Sequence, residues 1–329
     1  VKKKILILKR IGYWLGGIVG LFVLAALVVV INHKIHLSRE DSLVKPIGQT
    51  VSVGGHKMSI YTEGQGNTTL VFLAGGGTAS PILDFKSLFS RLSDRYKIAV
   101  PERIGYGYSD VADVPRDLDT VLEEDRQALL LAGLKPPYVL VPHSITGLES
   151  VYWAQKYPKE VSSIIGIDVG TVNAYFDPSL PKASDFIPKI KILAFAEHMG
   201  VTRFIPSMVK SEAAISAGNL TDHEKDIYKA IYYRRTNTPP MIQELVDLLD
   251  NAHKVDALPP PQLPVLFFIS NGDGIGLGYT KEQWQGFQIS YLSKIANSKY
   301  VLMDDYGHYL QDFAPDLLAQ KIKEFIPAN

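Results

Sequence analysis

The sequence predicts an α/β fold: a mostly parallel central sheet with helices on both faces, a helical insertion late in the chain, and an apolar helix in front. Three observations carry this. Continuous apolar runs alternate with amphipathic stretches over most of the 329 residues, the pattern of a parallel sheet covered on both faces. The alternation lapses between about Thr171 and Leu258, where helix-like stretches follow one another with no strand pattern between them. Ahead of everything lies an uncharged run from Ile11 to Ile31.

That run has about 21 residues, roughly 30 Å as a helix, enough to span a bilayer. Lys2, Lys3, Lys4, Lys9 and Arg10 precede it, and Lys34 and Arg39 follow. The basic excess before the span places the N-terminus in the cytoplasm and the rest outside. Tyr13 and Trp14 sit near one end, where an aromatic belt belongs. No A-x-A site precedes the polar "INHKIH", so the expectation is an uncleaved anchor rather than a signal peptide. Gly12, Gly16 and Gly20 form a small-residue stripe, a face on which a second copy of the helix can pack. The expected division is a basic tail at 1–10, a transmembrane helix at 11–32, a polar linker at 33–48, a core at 49–170 and 259–329, and a helical cap at 171–258.

Within the core, "TVSV" and "KMSIYTEG" alternate apolar and polar residues, which predicts an antiparallel hairpin turning at Gly54-Gly55. "TTLVFLAGGG" is a buried strand breaking into glycines, and "ILDFKSLFSRLS" has helical spacing. "YKIAVPE" is the next strand. "LDTVLEEDRQALLLAGL" is an amphipathic helix with Gly133 near its end. "YVLVPH" is a strand, and "GLESVYWAQKY" is a helix stopped by Pro158. "VSSIIGIDVG", "PVLFFISNG" and "KYVLMDDYG" are further strands, and "PDLLAQKIKEFI" is the last helix. The insertion carries "IPKIKILAFAEHM", "TDHEKDIYKAIYYRR" and "MIQELVDLLDNAHK" as helices and returns through "LPPPQLP".

Composition removes several functions. Thirty-four basic and 34 acidic residues balance, unlike the basic excess of a nucleic-acid binder. The absence of cysteine excludes disulfides, thiolate metal sites and a cysteine nucleophile. No metal motif is present; "HKIH", His33 to His36, is a weak candidate bordering the membrane. "GDGIGLG", Gly272 to Gly278, lacks the Lys-Ser/Thr of a phosphate loop, and no helix signal is read after it. No cofactor is expected.

Four motifs end strands: "AGGG" at Ala74–Gly77, "HSITG" around Ser144, "SNGDG" at Ser270–Gly274 and "YGHY" at Tyr306–Tyr309. In open α/β sheets ligands bind at the carboxyl ends of strands. These ends offer backbone N–H groups, a hydroxyl, a carboxylate and an imidazole, the parts of a serine hydrolase. Ser144 alone reads first as a helix cap, and only its ordered partners make it a nucleophile candidate. A serine hydroxyl becomes a nucleophile only beside a base, and an imidazole serves near neutral pH.

From roughly Thr50 onward the chain resembles the α/β-hydrolase fold family, which orders its residues Ser…Asp…His. "LVFLAGGG" resembles its oxyanion strand and loop, "PERIGYGYSD" the segment after the next strand, and "VPHSITG" its nucleophile elbow. "PVLFFISNGD" resembles the acid strand and "GHYLQDFAPD" the histidine segment. The resemblance implies Ser144 as nucleophile, His308 as base, Asp273 as orienting acid, and the N–H groups of Gly76 and Ile145 as oxyanion hole. Asp168, ending "IIGID", is the rival acid, because some relatives carry it after that strand. His143 is expected to shape the elbow, Glu102 to be structural, and Asp304 and Asp305 to be solvated.

Two departures stand out. The elbow is usually G-x-S-x-G; here Pro142 stands two before the serine and Thr146 two after, with Gly147 one place further on. The implied reaction is hydrolysis of a small, apolar carboxylic ester, or an amide, by an extracytoplasmic domain. Two other readings stay open. One is a ligand-binding protein on an inactive scaffold, favoured by Pro142 and Thr146. The other is a proline iminopeptidase-like aminopeptidase, which needs a carboxylate such as Glu197, Glu212 or Glu244 to hold a free amine.

Overall fold

The strands of the core are β1 (Gln49–Val53), β2 (His56–Glu63), β3 (Thr69–Leu73), β4 (Lys97–Glu102), β5 (Tyr138–Pro142), β6 (Val161–Ile167), β7 (Val265–Ser270) and β8 (Ser298–Met303). In the computed structural model, which describes residues 2–326, they form one sheet in the order β1-β2-β4-β3-β5-β6-β7-β8. Val1 and residues 327–329, the extreme ends of the expected tail and core, lie outside the described residues, as do the side chains of Lys2, Lys3 and residues 5–8. Only β2 runs against the others. Its hairpin with β1 turns at Gly54 and Gly55, with φ of 58° and 86°. A tight turn with two left-handed residues matches the twist of the strands it joins, and glycine takes that conformation without strain.

The helices of the first half are α1 (Lys2–Glu40), α2 (Pro81–Phe89), α3 (Leu118–Leu131) and α4 (Thr146–Lys156). The buried strands explain why both sheet faces are covered. In β3, Val71 and Leu73 pack with Trp153 of α4 on one face. Leu70 and Phe72 pack with Phe85 and Phe89 of α2 on the other. Successive side chains of a strand point to opposite faces, so a strand apolar at every position needs helices on both.

Between Ile167 and Val265 every regular element is helical: α5 (Val172–Tyr175), α6 (Ala183–His198), a 3₁₀ turn (Val201–Phe204), α7 (Pro206–Lys210), α8 (Ala213–Ser216), α9 (Asp222–Arg235), α10 (Pro239–Val246) and α11 (Leu248–Asp256). The stretch "MIQELVDLLDNAHK" is therefore two helices, parted at Asp247. The C-terminal part adds α12 (Lys281–Leu292), α13 (Leu310–Phe313) and α14 (Pro315–Phe325).

Two expectations need correction. The first is the linker at 33–48. α1 does not stop at residue 32 but continues through Glu40. One face holds it: Val29, His33, Leu37 and Glu40 recur at helical spacing and are buried or half-buried. Glu40 accepts two hydrogen bonds from Arg203, at 2.7 Å each, and pairs with Arg234 at 3.3 Å. Arg234 also reaches Asp41 at 2.7 Å and the Leu37 carbonyl. Packing and charge extend a helix that polarity alone seemed to end. Towards the N-terminus α1 is long and apolar enough to cross a membrane, and Ile11 to Val28 are exposed throughout. Gly12, Gly16 and Gly20 open on to empty space.

The second correction concerns "GDGIGLG". A helix does follow it. Thr280 caps α12 by accepting from the Gln283 N–H, and the Gln283 side chain accepts from the Thr280 N–H. That reciprocal capping box is a start signal readable in the sequence as T-x-x-Q.

Candidate functional site

Four strand ends converge on Ser144. β5 stops at Pro142, and the chain turns through His143, Ser144 and Ile145 into α4. Ser144 adopts φ 58°, a left-handed conformation that costs a non-glycine residue roughly 1–2 kcal/mol. Its carbonyl accepts from Gly147 N–H at 3.1 Å and Gly170 N–H at 2.9 Å, which fixes the turn. Ser144 does not cap the helix: the N-cap position is Ile145, without a side-chain cap bond. Ser144 instead lines a cavity.

The two unusual elbow residues fit this geometry. Pro142 ends its strand, where a missing N–H disrupts no interior ladder. The Thr146 side chain is buried, with its hydroxyl 2.8 Å from the carbonyls of Leu73 and His143 and 3.1 Å from the His143 N–H. It thereby ties α4 to β3 and to the turn itself. The close approach of helix to sheet falls on Gly147 instead. A Cβ there would lie 2.6 Å from the Gly170 carbonyl and 2.7 Å from Val169 Cβ. The glycine of the motif has moved by one residue, and the crowding has moved with it.

The glycines after β3 pass directly over the turn. A Cβ on Gly75 would lie 2.9 Å from both His143 Nδ1 and Ser144 Cβ, and one on Gly76 would lie 2.9 Å from Ile145 Cδ1. Gly76, Ser144 and Ile145 all line the same cavity.

The imidazole of His308 joins them, and its partner is Asp168, not Asp273. His308 Nδ1 lies 2.6 Å from Asp168 Oδ2. Asp168 directly follows β6, is wholly buried, and has φ 46°. It also accepts from the Ser270 N–H at 2.7 Å, the Ser270 hydroxyl at 2.8 Å and the Trp284 indole at 2.8 Å. Burial pushes its carboxyl up. The bond to His308 leads the donors that outweigh burial and hold the carboxyl below its ordinary value. The carboxylate is thus an acceptor and the His308 Nδ1–H donates to it, which leaves Nε2 as the ring nitrogen free of Asp168.

The expected assignment of the acid to Asp273 is therefore corrected. Gly272 (φ 89°) and Gly274 (φ 91°) swing the loop so that Asp273 is exposed. Its backbone carbonyl accepts from the His308 N–H at 2.8 Å. Asp273 therefore holds the histidine's main chain while Asp168 meets its ring.

This geometry can be set beside known proteins. The model of the alpha/beta hydrolase fold family matches residues 68–315. The chain belongs to the α/β-hydrolase family. A Bacillus subtilis relative, the uncharacterized protein YbdG, is 42% identical over 260 residues, covering 78% of this chain and 79% of the relative. Among solved structures, the Bacillus megaterium epoxide hydrolase superposes with a TM-score of 0.66 at 16% identity, covering 84% of this chain and 99% of its own. A thermophilic esterase from Thermogutta terrifontis gives 0.60 at 19% identity, covering 84% and 97%. These two likenesses concern the fold alone.

Around the hydrolase's central pair the surrounding groups are structural. His143 packs against His308 with ring centroids 4.5 Å apart and planes tilted by 38°, and its Nε2 lies 3.1 Å from the His308 carbonyl. Burial first, then the neighbouring His308, lower its pKa to about 3. The Glu102 carboxylate is buried against Gly107, accepts from the Tyr108 N–H at 2.9 Å, and is raised to about 7 by burial. Asp304 pairs with Lys281 at 3.0 Å and Asp305 is exposed. His33 accepts from Arg203 at 2.8 Å and packs on Gly200, so it is part of the α1 contact.

The His143 shift gives a testable pH dependence. Folded His143 stays neutral down to about pH 3, whereas an unfolded histidine takes up a proton near pH 6.5. Its contribution to stability is complete above about 6.5 and falls as pH drops through that window, by up to about 1.4 kcal/mol per pH unit. Urea unfolding between pH 7.5 and 5 is expected to show a shallower loss of stability in His143→Gln than in the parent. Parallel curves would refute the buried, neutral histidine.

The cavity above Ser144 has a volume of about 1000 Å³. Phe186, Ile190, Leu245 and Leu249 of the insertion form much of its wall, and Ile275 and Leu277 of the glycine loop close one side. Sequence reasoning missed Ser270 and Trp284, which fix the far side of Asp168. The capping box before Trp284 was the signal that would have found α12.

Proposed function

We propose that this hydrolase cleaves carboxylic esters through an acyl-enzyme on Ser144. The observation that carries the reading is the Asp168–His308 pair beside a left-handed serine at the floor of an apolar cavity. In this mechanism His308 Nε2 takes the Ser144 proton as Oγ attacks the substrate carbonyl. Asp168 keeps the imidazole in the required tautomer and stabilises the imidazolium. Gly76 and Ile145 N–H groups receive the negative charge on the carbonyl oxygen. Collapse expels the alkoxide with the proton from His308, leaving an ester on Ser144. Water, deprotonated by His308, then releases the acid and restores the serine. The apolar lining suits an apolar acyl or alcohol group.

The two alternatives draw less support. The carboxylates an aminopeptidase would need are engaged elsewhere: Glu197 with Asn237 at 2.9 Å, Glu244 with Tyr106 at 2.5 Å, and Glu212 beside Tyr228 at 3.4 Å. None of the three lines the cavity. The binding-protein reading rested on Pro142 and Thr146, and both are accommodated in the turn.

The insertion acts as a cap over the site, and α1 as a membrane anchor with a cytoplasmic N-terminus and the catalytic part outside. The test of the chemistry is active-site labelling. A fluorophosphonate is expected to modify Ser144, identified by peptide mass, and to abolish turnover in a panel of p-nitrophenyl esters. Modification elsewhere, or an unlabelled protein that still cleaves esters, would overturn the proposal.

A further inference from the structure

The surface of the insertion beside α1 is apolar where a soluble protein would be polar. Ile192 is 71% exposed, Phe195 68% and Phe204 57%. Pro188, Ile192 and Phe195 fall at helical spacing on the outer face of α6, all exposed. Large exposed apolar patches mark a binding surface for protein or membrane. Two observations identify this one.

The first is continuity with α1. His33, two residues past the apolar run, packs against Gly200, which joins α6 to the 3₁₀ turn. Val29 and Val30, inside that run, are already half-buried against the body. Phe195 lies five residues before Gly200 and Phe204 four after it. The patch therefore surrounds the point where α1 leaves the body, at the depth where its apolar run ends. Arg203 and Arg234 hold this contact by pairing with Glu40 and Asp41. The second is charge. Lys189 and Lys191 of α6 and Lys210 of α7 are exposed beside the patch, as in helices that lie in a lipid interface with lysines at the headgroups.

We infer that the outer face of α6 and the adjoining 3₁₀ turn rest on the bilayer crossed by α1, so that the cavity behind α6 takes a lipid-like ester from the membrane. Phe186 and Ile190 of the same helix line that cavity. One helix thus separates lipid from site, and α1 fixes its orientation as a bracket. The inference rests on α1 spanning the bilayer and on the cavity taking an ester.

The cysteine-free chain allows single labels. Full-length protein carrying Leu21→Cys, Ile192→Cys, Phe204→Cys or Leu131→Cys is labelled with an environment-sensitive fluorophore. Each is reconstituted in phosphatidylcholine–phosphatidylglycerol vesicles containing doxyl-lipid. The doxyl group is expected to quench the labels at 21, 192 and 204 and to spare 131, which lies exposed on α3. If 192 and 204 behave like 131 while 21 is quenched, the docking surface is wrong and the anchor stands. If 21 is also spared, the spanning reading fails, and the inference with it. A second measurement addresses supply to the site. Ile192→Glu/Phe195→Glu in the same vesicles is expected to lower turnover of a long-chain ester embedded in the bilayer at least tenfold. Turnover of a soluble acetate ester should stay within twofold. Equal loss on both esters, or on neither, overturns delivery through this face. If neither the parent nor the variant cleaves either ester, the ester reading fails, and with it the inferred delivery.

Discussion

Asp168→Asn is expected to lower kcat/KM for a soluble ester by about 10⁴-fold, while Asp273→Asn leaves it within about twofold. The asymmetry follows from what each carboxyl touches. Asp168 meets the His308 ring at 2.6 Å, and its other oxygen is fixed by Ser270 and Trp284. An amide in its place presents an N–H to the ring or loses the match with those donors. Either way the imidazole loses the carboxylate that selects its tautomer and stabilises its cation. Asp273 offers His308 only its backbone carbonyl, which asparagine keeps. Steady-state kinetics on the two variants, with circular dichroism to show that both are folded, decide the matter. A large loss in Asp273→Asn with a near-normal Asp168→Asn would restore the acid to the loop after β7.

The two candidates show what the sequence could and could not settle. Both aspartates follow an apolar strand, "IIGID" and "FFISNGD", and each has the right neighbours for a strand end. What separates them is backbone direction. Gly272 and Gly274 turn Asp273 outward, whereas the left-handed turn at Asp168 aims its carboxyl into the core. Such directions are set by tertiary packing, and neither spacing nor residue type records them. The strands and the Ser144 turn were legible because they are local: an apolar run, a stop, and an amphipathic helix. Gly147 as the close-packing residue was legible for the same reason. The extension of α1 to Glu40 was not, since its stabilising partners Arg203 and Arg234 lie more than 160 positions away. The helix carrying Trp284 sits between these extremes. Its capping box is local, but the glycine-rich loop in front drew the reading towards coil.

Arg103 leads to the other large effect, on stability. It follows β4 and is buried, yet it carries a charge. Its guanidinium donates to the Ala74 carbonyl at 2.9 Å, lies 3.4 Å from Glu149 of α4 and 3.3 Å from Glu244 of α10, and stacks over Tyr106 at 4.5 Å. One side chain thus connects the glycine loop, the helix after Ser144 and the insertion. Arg103→Met fills most of the same space but leaves two buried carboxylates without their cation. Breaking such a pair costs about 3–5 kcal/mol, chiefly through the charge left behind. Urea unfolding at pH 7.5 is expected to show that loss. The loss should shrink as pH falls, because Glu149, whose carboxyl burial already pushes up, can escape the penalty by taking up a proton once the arginine is gone. Adding Glu244→Gln to Arg103→Met should likewise recover part of the stability at pH 7.5, since one orphaned charge disappears. Turnover is expected to fall along with stability, because the Ala74 carbonyl loses the donor that steadies the loop bearing Gly76. A loss below about 1 kcal/mol, or one that does not change with pH, would mean that solvent reaches this cluster and that the charges are not held as the geometry requires.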